Sequence, residues 1–211
     1  MPKVKICGIT RLPDAQNAIK AGASALGFNF YKKSPRYISP EAAAEIVNKL
    51  ASSTMAVGLF VNSSIDEIIG VLETSSISAL QLHGSESPEF IKTLRSKTEA
   101  ILIKALPLKN ESSITEVLEF LKLTDFILLD AWHPDLAGGT GKIISSDLLT
   151  RARNILPLEK CFLAGGLNPE NVQKIHRLFP AAWVDVASGV ETSPGIKNEE
   201  LMLSFVRAIS G

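Results

Sequence analysis

Cysteine is scarce. The 211-residue chain has two, Cys7 and Cys161. That is too few for a disulfide framework, so a reducing, cytoplasmic setting is expected. An excess of either charge is also missing, with 22 Lys plus Arg against 22 Asp plus Glu. Without a dense positive field, neither nucleic acid nor a membrane surface is expected as a partner. Long apolar runs are lacking, and stretches such as Met55–Val61 fall far short of a membrane span. The opening MPKVKICGIT has no apolar segment that would read as a signal peptide. Linkers, charge runs and low-complexity segments are absent too, so one domain over residues 1–211 is expected.

What is present is a steady alternation. Apolar residues make up 45% of the chain, enough for a sizeable core and too many for general disorder. The strand candidates are Val4–Cys7, Ala25–Phe30, Met55–Val61, Ala79–His83, Ala100–Ala105, Phe126–Asp130, Cys161–Ala164 and Trp183–Ala187. Helix starts fall between them at Pro13-Asp14, Ser39-Pro40-Glu41, Ser63–Asp66, Ser87-Pro88-Glu89, Asn110–Ser113, Ser145–Asp147 and Asn168-Pro169-Glu170, with a last one at Asn198–Glu200. Alternating units of this kind predict a parallel sheet, and eight of them predict a closed (β/α)8 TIM barrel. An open doubly wound sheet is the structural alternative.

In a barrel, chemistry sits at the C-terminal strand ends. Gly165-Gly166 follows strand seven and Ser188-Gly189 follows strand eight. Glycines let backbone N–H groups approach an anion, and a helix start adds positive partial charge, so the two loops together suggest a phosphate site. The plainer reading is tight turns alone.

Cys7 ends strand one and is read either as a buried small hydrophobe or as a catalytic base at the barrel mouth. Alternation puts Lys5 on the same face, where it would favour a thiolate unless committed to a buried pair with Asp185. Asp130 ends strand six, as a ligand or catalytic acid or as a loop cap. Arg36 is suited to a carboxylate or phosphate, although unaided it reads as a solvated loop charge. His83 ends strand four above Gln81, and a lone histidine is more often structural. His133 and His176 do not cluster with it, so no metal site is expected. Lys104 is a weak candidate for Schiff-base chemistry, and Cys161 reads as core. Gly138-Gly139-Thr140-Gly141-Lys142 lacks nucleotide-loop spacing, because Ile143 follows the lysine, and it suits a loop beside the site better.

Taken together, these segments resemble the phosphoribosylanthranilate isomerase family of tryptophan biosynthesis. The matching runs are KICGIT from Lys5, LGF from Leu26, SPR from Ser34, FVN from Phe60, QLHG from Gln81, LLD from Leu128, GGTG from Gly138, LAGGL from Leu163, VDV from Val184, SGVE from Ser188 and PG from Pro194. They keep family order over nearly the whole chain. The chain departs from the family pattern at Ile143-Ile144-Ser145, Ala187 and Ser85.

The resemblance implies an aldose–ketose isomerase carrying out an Amadori rearrangement of N-(5-phosphoribosyl)anthranilate. Cys7 would be the general base and Asp130 the general acid. Arg36 would meet the anthranilate carboxylate. His83, Gly165, Gly166, Ser188 and Gly189 would bind the rest of the phosphosugar. No metal, nucleotide or redox cofactor is implied, and the chain would act as a monomer or homodimer. The competing readings are a metal-dependent epimerase, an indole-forming synthase and a phosphosugar-binding barrel without turnover.

Overall fold

The computed structural model describes residues 1–50, 53–131 and 144–210. His133 and the Gly138–Lys142 segment, singled out above, lie outside them. Eight parallel strands close into a barrel in simple chain order. They are β1 (Lys3–Cys7), β2 (Ala25–Asn29), β3 (Met55–Phe60), β4 (Ala79–Leu82), β5 (Ile101–Leu108), β6 (Phe126–Ala131), β7 (Cys161–Leu163) and β8 (Trp183–Val186). The barrel closes where β1 pairs with β8, Lys5 standing opposite Asp185. The open-sheet alternative is thereby excluded.

The helices are α1 (Leu12–Ala21), α2 (Pro40–Val47), α3 (Ile65–Thr74), α4 (Pro88–Arg95), α5 (Glu111–Phe120), α6 (Ser146–Arg153), α7 (Val172–Leu178) and α8 (Glu199–Ser210). Their starts follow local chemistry. Ser39, Ser64, Ser87, Asn110 and Ser145 each cap a helix by accepting a backbone N–H of its first turn. α7 departs from expectation. Asn168 accepts the amides of Glu170 and Asn171 at 2.9 and 3.0 Å. This Asn-led turn delays the helix until Val172. β5 also runs three residues past its predicted end, through Pro107 to Leu108, because β6 pairs along it as far as Ala131. No helix among the described residues is long and apolar enough to cross a membrane.

The period of two along each strand sorts side chains into two layers. Leu26, Leu80, Leu102, Leu129 and Val184 face the helices and form the larger core. Inside the barrel, Ala25, Val57, Ala79, Ile103, Leu128, Phe162 and Trp183 form an apolar plug. Phe162 stacks on Trp183 with ring centroids 4.8 Å apart. Each such aromatic contributes roughly 1.5–3 kcal/mol by burial. The same inward register, carried two residues further along each strand, places Lys5, Gln81, Asp130 and Asp185 above the plug. The apolar plug closes the lower end of the barrel, and the polar groups lie toward its C-terminal mouth.

Candidate active site

One cavity of about 450 Å³ opens at that mouth, and Cys7, Arg36, His83, Asp130, Gly166 and Ser188 all line it. Gly165 lines it as well. Residues from six different strands or the loops after them thus converge, as the fold predicts. Gly189 does not join them. A Cβ there would stand 2.0 Å from the Leu167 carbonyl oxygen, so Gly189 packs the turn after β8 onto the loop after β7 and sets Ser188 beside it.

Cys7 is buried, 6% exposed. Beneath it the Lys5 ammonium, fully buried, bonds Asp185 Oδ1 at 2.7 Å. The pair inferred from strand parity is therefore present. Its consequence for the thiol is the reverse of the simple expectation. Burial pushes the Cys7 thiol above its usual value, Lys5 pulls it down, and Asp185 adds to the rise. With Lys5 bonded to Asp185, burial prevails. For Lys5, burial pulls down, and Asp185 together with Cys7 more than offsets it, leaving the ammonium raised.

Across the cavity, Asp130 Oδ1 accepts the Ala131 amide at 2.8 Å and Oδ2 lies 3.2 Å from His83 Nε2. The Gln81 amide nitrogen lies 2.9 Å from His83 Nδ1. The hydrogen-bond network assigns the imidazole proton to Nε2, which donates to Asp130. Gln81 Oε1 is left as the buried side-chain oxygen without a partner among the described residues. Gly165 shapes this wall. Its φ of +87° suits glycine, and a Cβ would stand 2.4 Å from the Ala131 nitrogen and 2.9 Å from Asp130 Oδ1. Gly165→Ala should therefore displace Asp130 and destabilise the fold by about 1–3 kcal/mol; chemical denaturation and turnover measured on the same sample check both effects.

Loop backbone after β7 and β8 forms the remaining wall of the cavity. Among the described residues, the amides of Gly166 and Ser188 have no hydrogen-bond acceptor. Asn171 Nδ2 holds the Gly166 carbonyl at 2.9 Å, which fixes that peptide. The late start of α7 leaves loop residues, rather than a helix end at Asn168, beside the cavity.

Arg36 is no solvated loop charge. Its Nε donates to Glu191 Oε1 at 2.9 Å and its Nη2 donates to Oε2 at 2.7 Å. Glu191 opens a short hairpin of β9 (Glu191–Ser193) and β10 (Ile196–Lys197) that the sequence reading did not foresee. The Lys197 ammonium bonds Glu191 Oε1 at 2.7 Å and the Ala187 carbonyl at 3.1 Å. Burial pushes the Glu191 carboxyl up, but Arg36 and Lys197 hold it below its usual value. Glu191 stood inside a quoted motif with no role, and Lys197 carried no local signal.

Lys104 is corrected as well. By parity it shares the outward face of β5 with Leu102. Its ammonium bonds Glu86 Oε2 at 2.8 Å and the Gly84 carbonyl at 2.7 Å. It does not line the cavity, which removes the lysine that a synthase reading would need. Glu86 also accepts the amides of Asn62 and Gly84 at 2.9 and 3.0 Å, tying the loops after β3 and β4 together beside His83. Glu86→Gln would leave a buried lysine uncompensated. We expect a loss of about 3–5 kcal/mol in urea unfolding, with Lys104 and Glu86 side chains 1% and 2% exposed.

Comparison with known proteins identifies the family and the fold. A family model described as N-(5'phosphoribosyl)anthranilate (PRA) isomerase matches residues 4–208. The N-(5'-phosphoribosyl)anthranilate isomerase of Pelodictyon phaeoclathratiforme is 42% identical, covering 99% of this chain and 98% of its own. A crystal structure of phosphoribosyl anthranilate isomerase from Thermotoga maritima is 37% identical, covers 100% of both chains and superposes with a TM-score of 0.91. A second such structure holds reduced 1-(o-carboxyphenylamino)-1-deoxyribulose 5-phosphate. It is 36% identical, with 100% of both chains covered and a TM-score of 0.87.

Proposed function

Since the chain belongs to the N-(5'-phosphoribosyl)anthranilate isomerase family, we propose that this cavity rearranges the family's aminoaldose phosphate to its aminoketose, with Cys7 and Asp130 exchanging the protons. The observation that carries the proposal is that a thiol from β1 and a carboxyl from β6 share one cavity. Arg36 and two backbone amides without acceptors among the described residues border the same space.

Each step is a proton transfer. Asp130 donates to the furanose ring oxygen, the C1–O bond breaks, and the nitrogen lone pair forms the C1=N double bond. Cys7, as thiolate, takes the proton from C2, and that electron pair returns toward nitrogen to give an enolamine. Loss of the C2 hydroxyl proton and gain of one at C1 then gives the ketone. No net oxidation occurs, because C1 is reduced as C2 is oxidised within one molecule. Burial that raises the thiol also makes its thiolate a stronger base once formed.

His83 and Gln81 keep Asp130 in register. Half a turn of the Gln81 amide would let Oε1 accept from Nδ1–H and leave Nε2 free to accept from a protonated Asp130. That arrangement occupies the orphaned oxygen. The phosphate is taken by the Gly166 and Ser188 amides, and Arg36 takes the anthranilate carboxylate. We place the activity in the cytoplasm, consistent with two unpaired cysteines.

The test is direct. Purified protein given N-(5'-phosphoribosyl)anthranilate should quench the anthranilate fluorescence with first-order kinetics and produce the ketose in equal amount. Unchanged fluorescence at micromolar enzyme would overturn the assignment and leave a binding protein.

A further inference from the structure

Arg36 is held at both ends. Its stem lies over Gly8, where a Cβ would stand 2.6 Å from Arg36 Cδ. Its Nε and one N–H of Nη2 are both spent on Glu191. What remains of the fork is the opposite edge, Nη1 with the second N–H of Nη2, on a residue that lines the cavity. That edge matches a planar carboxylate in bidentate fashion.

The charges decide whether the match is worth anything. Arg36 and Glu191 alone would form a neutral pair with little attraction left for an anion. Lys197, 5% exposed, adds a second cation to the same Glu191 oxygen atom that Arg36 Nε uses. Two cations share one anion, so one positive charge is left over. Neither Glu191 nor Lys197 lines the cavity; both would act through Arg36.

We propose that Glu191 and Lys197 are positioning residues for substrate selection: Glu191 turns the guanidinium edge of Arg36 toward the substrate's carboxylate, and Lys197 neutralises Glu191 so that the charge on Arg36 stays available. This rests on the proposed role of Arg36 as the carboxylate contact. It adds that recognition of an aryl carboxylate depends on a buried triad whose other members never touch the ligand.

The experiment compares two ligands by calorimetry. One is reduced 1-(2-carboxyphenylamino)-1-deoxyribulose 5-phosphate, and the other is its phenylamino counterpart without the carboxylate. The ratio of their Kd values isolates the carboxylate. Lys197→Met and Glu191→Gln should each lower that ratio about tenfold, while the carboxylate-free ligand changes by less than about threefold. Lys197→Arg should restore the ratio. Glu191→Gln makes the site more positive, so an account based on charge alone expects tighter carboxylate binding and orientation expects weaker. Equal weakening of both ligands, or no change in the ratio, overturns the inference.

Arg36→Met separates the two layers of the argument. If it abolishes the ratio while Lys197→Met and Glu191→Gln do not, only the positioning claim fails. If it leaves the ratio intact, the assignment of Arg36 itself fails. Should Lys197→Met not fold by circular dichroism, the isosteric Glu191→Gln decides.

Discussion

Cys7→Ala should lower kcat by about 10²–10⁴-fold with KM changed only a few-fold, because the substituted atom acts on the reacting carbon and contributes little to holding the phosphate or carboxylate. No neighbour can replace it. Asp185 is bonded to Lys5 at 2.7 Å, and Asp130 is the proposed acid on the opposite wall. The variant should remain folded, since losing one buried sulfur leaves a small void beside the barrel plug. The upward shift of the Cys7 thiol by burial also fixes a sign in the pH profile. A base works deprotonated and the acid works protonated, so the limb of kcat/KM that titrates Cys7 should lie above the ordinary thiol range near about 8.5. A high-pH limb left unchanged in Cys7→Ala would assign the base to another group. Near-wild-type turnover in Cys7→Ala would do the same.

Asp130→Asn should give a loss of similar size, about 10²–10⁴-fold in kcat, for a different reason. The amide keeps the shape and the bond from the Ala131 amide to Oδ1, 2.8 Å in the parent. Its nitrogen can face His83 Nε2 if the imidazole changes tautomer, and the Gln81 amide can turn to suit. The wall stays intact, but no proton can be given to the ring oxygen. Binding of the reduced product analogue should therefore survive within a few-fold while ring opening stops. If turnover persists, His83 or water supplies the proton and the role given to Asp130 is wrong. Because both side chains serve one reaction, the double variant should be little worse than either single variant.

The barrel was legible because its signal repeats. Period-two apolar runs and Ser or Asn caps occur unit after unit, and parity alone placed Lys5 opposite Asp185. Strand ends then pointed to Cys7, His83 and Asp130, which the structure brings to one cavity. What escaped the sequence depends on long-range contact. Glu191 meets Arg36 from 155 positions away in the numbering, Lys197 joins them by bonding Glu191, and a short polar hairpin carries no alternation to announce it. Glu86 sits in a loop and looks solvated until Lys104, facing outward from β5, reaches it. The start of α7 was misplaced because Asn168-Pro169-Glu170 carries ordinary capping chemistry. The Asn168 side chain spends that chemistry on the turn before the helix.

A crystal structure of this protein with reduced 1-(2-carboxyphenylamino)-1-deoxyribulose 5-phosphate tests the central claim most directly. Cys7 Sγ should lie within about 4 Å of C2. An Asp130 carboxyl oxygen should lie within about 3.2 Å of the C4 oxygen that closes the furanose ring in the aminoaldose. A sugar chain bound with C2 turned away from the sulfur, or with that oxygen out of reach of Asp130, would contradict it.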